Sequence, residues 1–169
     1  MKTNLLRATG LLALGLRFFF YFLILCFLGF AFSKDVSGSL EYTFNQPIAA
    51  IGWWKIISAF VLILLALLLA SHIAGLFHKL TKELVKEDYF SSASQMLYRK
   101  LFMSLVALTA TQFCLTLFIS LTKAVGPHNF LNLRWSDFLI NGSFLILTYV
   151  VWLIVQKGEK LQLENSEII

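Results

Sequence analysis

A chain of 169 residues has room for one soluble domain, but 59% of these residues are hydrophobic, the mean hydropathy is +0.79 and only 14% are charged, against about 25% charged in a typical soluble domain. A globule of this size cannot hide so much apolar surface within itself, so the composition excludes an ordinary soluble domain and calls for a bilayer as partner and solvent. The net charge of +5 comes from 14 Lys and Arg scattered between apolar runs; they form no continuous stripe, and basic residues flanking membrane spans account for them without direct nucleic-acid binding.

A spanning helix needs about 20 mostly apolar residues. The first apolar run, 18–32, is uncharged but reaches only about 22 Å at 1.5 Å per residue. A full span over 11–32 takes in Arg17, which is expected to snorkel to the headgroups. A cleaved signal peptide competes, with Lys2 and Arg7 ahead of an apolar core and Ala31-Phe32-Ser33 as cleavage site. The Phe-rich run is longer than an ordinary signal core and favours a retained span.

The segment 33–52 carries a turn signal at Ser37-Gly38, and Leu40, Tyr42 and Phe44 alternate with polar residues, which permits one short strand or an edge on the membrane surface. A second span follows over 56–77, interrupted only by His72. Leu76, Leu80 and Leu84 then recur every four residues with Phe77 beside them, so this helix is expected to continue to about Lys86, aided by Lys79 and Glu83 one turn apart. A turn at Glu87-Asp88-Tyr89-Phe90 leads to Ser92 and Gln95, which have capping-box spacing for the next helix. The third span, 101–122, carries no charge. A loop with a Gly126-Pro127 turn precedes the fourth span, 138–156, with Trp135 and Trp152 toward its ends, where amphipathic rings favour headgroups. The tail is 157–169. The predicted fold is all-α, a single four-helix transmembrane bundle, with its second and third spanning helices extended into a short cytoplasmic helical hairpin at about 78–100.

Orientation follows from the distribution of Lys and Arg. The N-terminal segment (Lys2, Arg7, Arg17), the central hairpin (Lys79, Lys82, Lys86, Arg99, Lys100) and the tail (Lys157, Lys160) hold ten, whereas the other two loops hold Lys34, Lys55, Lys123 and Arg134. Both termini and the hairpin are therefore expected in the cytoplasm.

Chemistry is sparse. His72 and His78 fall on different helix faces with no acidic or thiol ligand beside them, and His128 lies in an outer loop, so neither a metal site nor a cofactor is expected. Cys26 and Cys114 both sit inside apolar runs, where a thiol acts as a small hydrophobe. No nucleophile elbow or P-loop occurs, and no catalytic residue can be nominated. Asn141-Gly142-Ser143 matches a glycosylation sequon but lies within a span. At equal depth on antiparallel spans, Gln112 is expected opposite Thr148 and Thr116 opposite Ser143, as interhelical hydrogen bonds or as a polar pocket. Ala66, Ala70 and Ala74, with Ser71 and Gly75 beside them, form a small-residue stripe suited to close packing within the bundle or to a dimer face. The candidate partner-binding face comprises Lys79, Lys82, Lys86, Phe90, Arg99, Glu164 and Asn165, although attraction to anionic headgroups also accounts for its basic residues.

Two stretches carry a resemblance. The central segment 77–92, a short helix, a turn, a Phe90-Ser91 step and then Arg99 before the third span, resembles the bacterial four-helix membrane family called domain of unknown function 2975. The C-terminus, with Gly158, Leu161, Leu163 and then Glu164-Asn165-Ser166-Glu167-Ile168-Ile169, is similar to that family's ending. It departs with Ser166 where Asp is usual and Ile168 where Thr is usual. The resemblance implies a bacterial inner-membrane protein and a small helix-turn-helix regulator as a cytoplasmic partner. Three functions compete on these residues. The first is a non-enzymatic interaction or signalling protein holding a cytoplasmic partner. The second is a small transporter or an immunity-type protein against a membrane-active toxin, motivated by Gln112, Asn141 and Arg17. The last is an intramembrane enzyme, which lacks catalytic groups.

Overall fold

The computed structural model describes residues 2–33, 36–44, 46–47, 50–86, 90–122 and 135–167. Among the described residues there are five helices: α1 (Lys2–Ala31), α2 (Val36–Phe44), α3 (Trp53–Val85), α4 (Ser92–Thr122) and α5 (Trp135–Glu167). The four long ones contain runs of Leu, Ile, Ala and Phe, and both prolines of the chain, Pro47 and Pro127, fall outside them. Uninterrupted helix satisfies every backbone donor and acceptor internally, as lipid demands. Among the described residues, four helices are long and apolar enough to cross a membrane, and the architecture fits a multi-pass membrane protein.

The long helices exceed what a bilayer needs. At 33 residues, α3 is about 50 Å long, against a hydrocarbon core of about 30 Å. The packing is sequential: α1 on α3, α3 on α4 and α4 on α5, with α1 and α5 flanking the central pair. Close contacts join Gly10 of α1 to Thr81 of α3 and Gly158 of α5 to Phe90, just ahead of α4. These contacts bring the N-termini of α1 and α4 and the C-termini of α3 and α5 to one end of the molecule, called here the hairpin end. α2 lies at the opposite end, the loop end.

The buried core is concentrated toward the hairpin end. Ile73, Leu76 and Leu80 of α3 meet Leu101 of α4, and Leu84, Leu97, Tyr98, Leu105 and Leu108 pack around them. Elsewhere the long helices display large apolar side chains outward, among them Phe22, Leu25, Ile146 and Leu147, as lipid-facing surfaces do. α3 does continue past its apolar stretch to Val85, where the Lys86 N–H donates to the Glu83 carbonyl at 3.0 Å. Its side-chain support differs from the Lys79–Glu83 pairing, because Glu83 accepts from Lys86 Nζ at 2.9 Å instead.

The cap of α4 sits one residue earlier than the Ser92 and Gln95 spacing indicates. Ser91 Oγ accepts the Ser94 N–H at 3.2 Å, and the Ser91 carbonyl accepts the Gln95 N–H at 3.0 Å. Ser91 is thus the N-cap, and Ser92 opens the first turn. A second correction concerns 36–44, where the Leu40, Tyr42, Phe44 alternation and the Ser37-Gly38 turn signal give way to a helix. Val36, Leu40 and Phe44 recur at helical spacing and line one apolar cavity, with Phe44 only 6% exposed, while Tyr42 points outward. The four-residue recurrence that buries Phe44 outweighs the two-residue alternation.

Truncation tests where the packing energy lies. Leu80→Ala is expected to cost about 2–5 kcal/mol of stability, whereas Ile146→Ala, on an outward face, should leave the detergent-solubilised unfolding midpoint nearly unchanged. Equal losses at the two positions would contradict a core placed at the hairpin end.

Candidate functional site

Polar side chains gather in two seams between helices and on the surface of the hairpin end. In the α4–α5 seam, Gln112 makes an interhelical hydrogen bond, but not with Thr148. Asn141 Nδ2 donates to Gln112 Oε1 at 2.6 Å, while Thr148 Oγ1 donates to the Phe144 carbonyl of its own helix at 2.8 Å. Thr116 likewise turns to its own helix, donating to the Gln112 carbonyl at 3.0 Å, rather than across to Ser143. The partner of Gln112 is displaced by two helical turns, about 10 Å of rise, from the equal-depth position.

Aromatic packing accounts for that displacement. The Phe102 ring of α4 stacks on Trp152 at 6.2 Å and lies 5.6 Å from Tyr149, both on α5. Those contacts pair residue 102 with residues near 150, and the same antiparallel register carries 112 to 141. Trp152, placed by sequence near a headgroup layer, instead packs on Phe102, and its Nε1 is buried with no hydrogen-bond partner among the described residues. The Trp135 side chain lies outside the described residues. Thr109, Thr111 and Thr122 also bond to carbonyls of their own helix, a habit that satisfies a hydroxyl in lipid without any ligand.

The α1–α3 seam is closer and more polar. Gly10 lets the helices touch, since a Cβ there would lie 2.7 Å from Thr81 Oγ1. One turn away, His78 Nδ1–H donates to the Gly10 carbonyl at 2.7 Å. Ser71, Ala74 and Gly75 are buried, whereas Ala66 and Ala70 are only partly so. Arg17 does not extend outward along α1 to snorkel. Its Nε and Nη2 donate to the Tyr21 hydroxyl at 3.2 and 3.0 Å, and its guanidinium lies against Gly75, where a Cβ would stand 3.3 Å from Cζ. The missing side chain at Gly75 opens that space. Among the described residues no carboxylate pairs with Arg17. Ser71 stands next to the Tyr21 hydroxyl, yet its Oγ has no hydrogen bond of regular geometry.

The candidate face at the hairpin end divides into parts. Lys82 and Lys86 rim a groove of about 490 Å³ between α1 and α3, together with Arg7. Phe90 is engaged rather than free, its ring lying directly on the bare backbone of Gly158. Lys79 and Arg99 are exposed on α3 and α4, and Glu164 stands 4.0 Å from Lys160 on α5. The Asn165 side chain, the turn at 87–89 and His128 lie outside the described residues. His72 is exposed, away from His78, and no group of three metal-ligating side chains forms among the described residues.

One feature escaped the sequence altogether. At the loop end, α2 lines an apolar cavity of about 560 Å³ together with α1, α3 and α4, with Phe27, Phe44, Trp53 and Phe118 among its walls and no titratable side chain among the described residues. Its signal was the helical spacing of Val36, Leu40 and Phe44, masked by the alternation through Tyr42. Comparison of the chain with models of protein families, with curated proteins and with solved structures finds no match, so the family resemblance rests on its two motifs.

The Gln112–Asn141 bond is open to a double-mutant cycle. Gln112→Leu and Asn141→Leu should each destabilise the protein in detergent by about 0.6–2 kcal/mol, and the pair together should cost less than the sum. Strict additivity would show that the two amides do not interact.

Proposed function

We propose that this protein is a non-enzymatic membrane interaction protein whose hairpin end faces the cytoplasm and docks a partner there. The observation that carries the reading is the construction of that end. Helices continue well past membrane length, and their extensions are tied together by the Leu76, Leu80 and Leu101 core and by the Phe90 ring on Gly158. A surface held this rigidly loses little conformational freedom on binding, which is the condition for effective docking. Within the spans, by contrast, Gln112, Asn141, Thr116 and Thr148 are engaged with one another or with their own helices.

The cytoplasmic assignment rests on the ten Lys and Arg at the hairpin end and tail against four in the other loops. Lys79, Arg99 and the end of α5 around Glu164 offer the exposed polar surface. The resemblance to domain of unknown function 2975 favours the bacterial inner membrane and a small helix-turn-helix regulator as the docked partner. A second reading, a small transporter or an immunity-type protein, draws on Arg17, whose charge meets Tyr21 and Gly75 but no carboxylate among the described residues. Intramembrane charges of this kind often mark a path or a binding site. Unaltered substrate or toxin sensitivity in Arg17→Leu would remove its support.

Two measurements test the first reading. In a background carrying Cys26→Ser and Cys114→Ser, a cysteine at Lys160 should resist a membrane-impermeant thiol reagent in intact cells, while one at Gly38 reacts; the opposite pattern would invert the topology. Cross-linking in cells should then recover a cytoplasmic regulator with the intact chain. Deletion of 164–169, or Lys79→Glu with Arg99→Glu, should lower that recovery at least about fivefold at equal membrane content.

A further inference from the structure

We propose that the groove between α1 and α3 at the hairpin end is a binding site for an anionic glycerophospholipid, its phosphate held by Arg7 and Lys82 and one acyl chain lying along Leu11. The groove comes from the packing of the seam. Gly10 draws the two helices into contact at Thr81 and His78, and beside that pinch the surfaces of α1 and α3 leave about 490 Å³. Among the described residues its lining comes from α1, α3 and Lys86 just past α3, and α1 flanks the bundle. The groove therefore opens at the perimeter, where annular lipid lies.

Its depth matches a headgroup. The apolar stretch of α3 ends at Phe77, and Lys82 stands five residues farther, about 7.5 Å along the helix axis. The polar layer on each side of a hydrocarbon core is about 5–7 Å thick. Antiparallel packing of Gly10 against His78 and Thr81 sets Arg7 at a similar height. Leu11 lies on the opposite side of the pinch, toward the hydrocarbon. A cation at the height of the phosphates above an apolar wall is the pattern a phospholipid presents in complement.

Charge narrows the ligand. Among the described residues, Arg7, Lys82 and Lys86 line the groove and no carboxylate does. Glu83 neutralises part of this by accepting from Lys86 at 2.9 Å, which leaves Arg7 and Lys82 as the net positive pair. Each basic residue at an anionic surface strengthens association about fivefold. Apolar walls at Leu6, Leu11 and Val85 offer nothing to a soluble anion and favour a ligand that carries hydrocarbon. This inference stands apart from the docking reading, because neither Arg7 nor the groove is needed to hold a partner at Lys79, Arg99 or Glu164.

The test uses the full chain in mild detergent and native mass spectrometry, titrated with phosphatidylglycerol or phosphatidylcholine. Phosphatidylglycerol should be retained at least fivefold more strongly, and Arg7→Gln with Lys82→Gln should abolish the preference. The control pair Lys79→Gln with Arg99→Gln removes the same charge outside the groove and should preserve it. Equal retention of the two lipids, or equal loss in both double variants, would overturn the site. Inorganic phosphate at matched ionic strength should leave the lipid bound; displacement would mark a soluble-anion site and refute the lipid assignment. Matching size-exclusion profiles establish that the exposed substitutions leave the fold intact.

Discussion

An apolar side chain gains free energy by leaving water, but gains almost nothing by leaving lipid for the interior of a protein. That asymmetry governs where this molecule can be tightly packed. The spanning parts of its four long helices display Phe22, Leu25, Ile146 and Leu147 outward and need not bury them. Helices of about 45–50 Å are longer than a hydrocarbon core, however, and leucines that reach water gain by covering one another, although Leu5 and Leu161 stay exposed. Leu80, Leu84, Leu97 and Leu101 cover one another, so the core forms at the hairpin end. The same extensions supply the surface on which the proposed function depends.

Within the spans, cohesion comes from close approach and from polar pairs. Gly10 and Gly75 permit the first, by admitting Thr81 and the Arg17 guanidinium where a side chain would stand. Gln112 and Asn141 supply the second. A hydrogen bond of this kind is worth only about 0.6–2 kcal/mol in a membrane, so it does not by itself choose which residues meet. Phe102, Tyr149 and Trp152 bury far more surface, and their stacking brings Asn141 to Gln112. The amide pair then makes a mismatched register costly, because each amide would be left unsatisfied in lipid.

Both seams at the hairpin end thus combine a structural task with an exposed rim. Phe90 belongs to the scaffold, since its ring occupies the space over Gly158. Lys82 and Lys86 face a groove shared with Arg7, while Lys79 and Arg99 stand outside it. Basic residues that read as one face along the chain are divided by the fold into a part that rims the groove and a part that stands outside it.

Much of the architecture was legible in the sequence because lipid imposes simple rules. Long uncharged runs at 56–77 and 101–122 can only be helices there, and the four-residue recurrence of Leu76, Leu80 and Leu84 carries one helix into its extension. Short-range ambiguity and axial position were not legible. Leu40, Tyr42 and Phe44 satisfied a two-residue pattern and Val36, Leu40 and Phe44 a four-residue one, and only the structure shows the helix, with the second set lining one cavity. Counting residues placed Gln112 opposite Thr148, because equal depth was the only register available without knowledge of packing. The chain alone determined which segments are long and apolar enough to cross a membrane, since that depends on local hydropathy. The tertiary structure decided how far each helix slides against its neighbour, where Arg17 turns and which lysines border a groove, since these depend on contacts between residues distant in sequence.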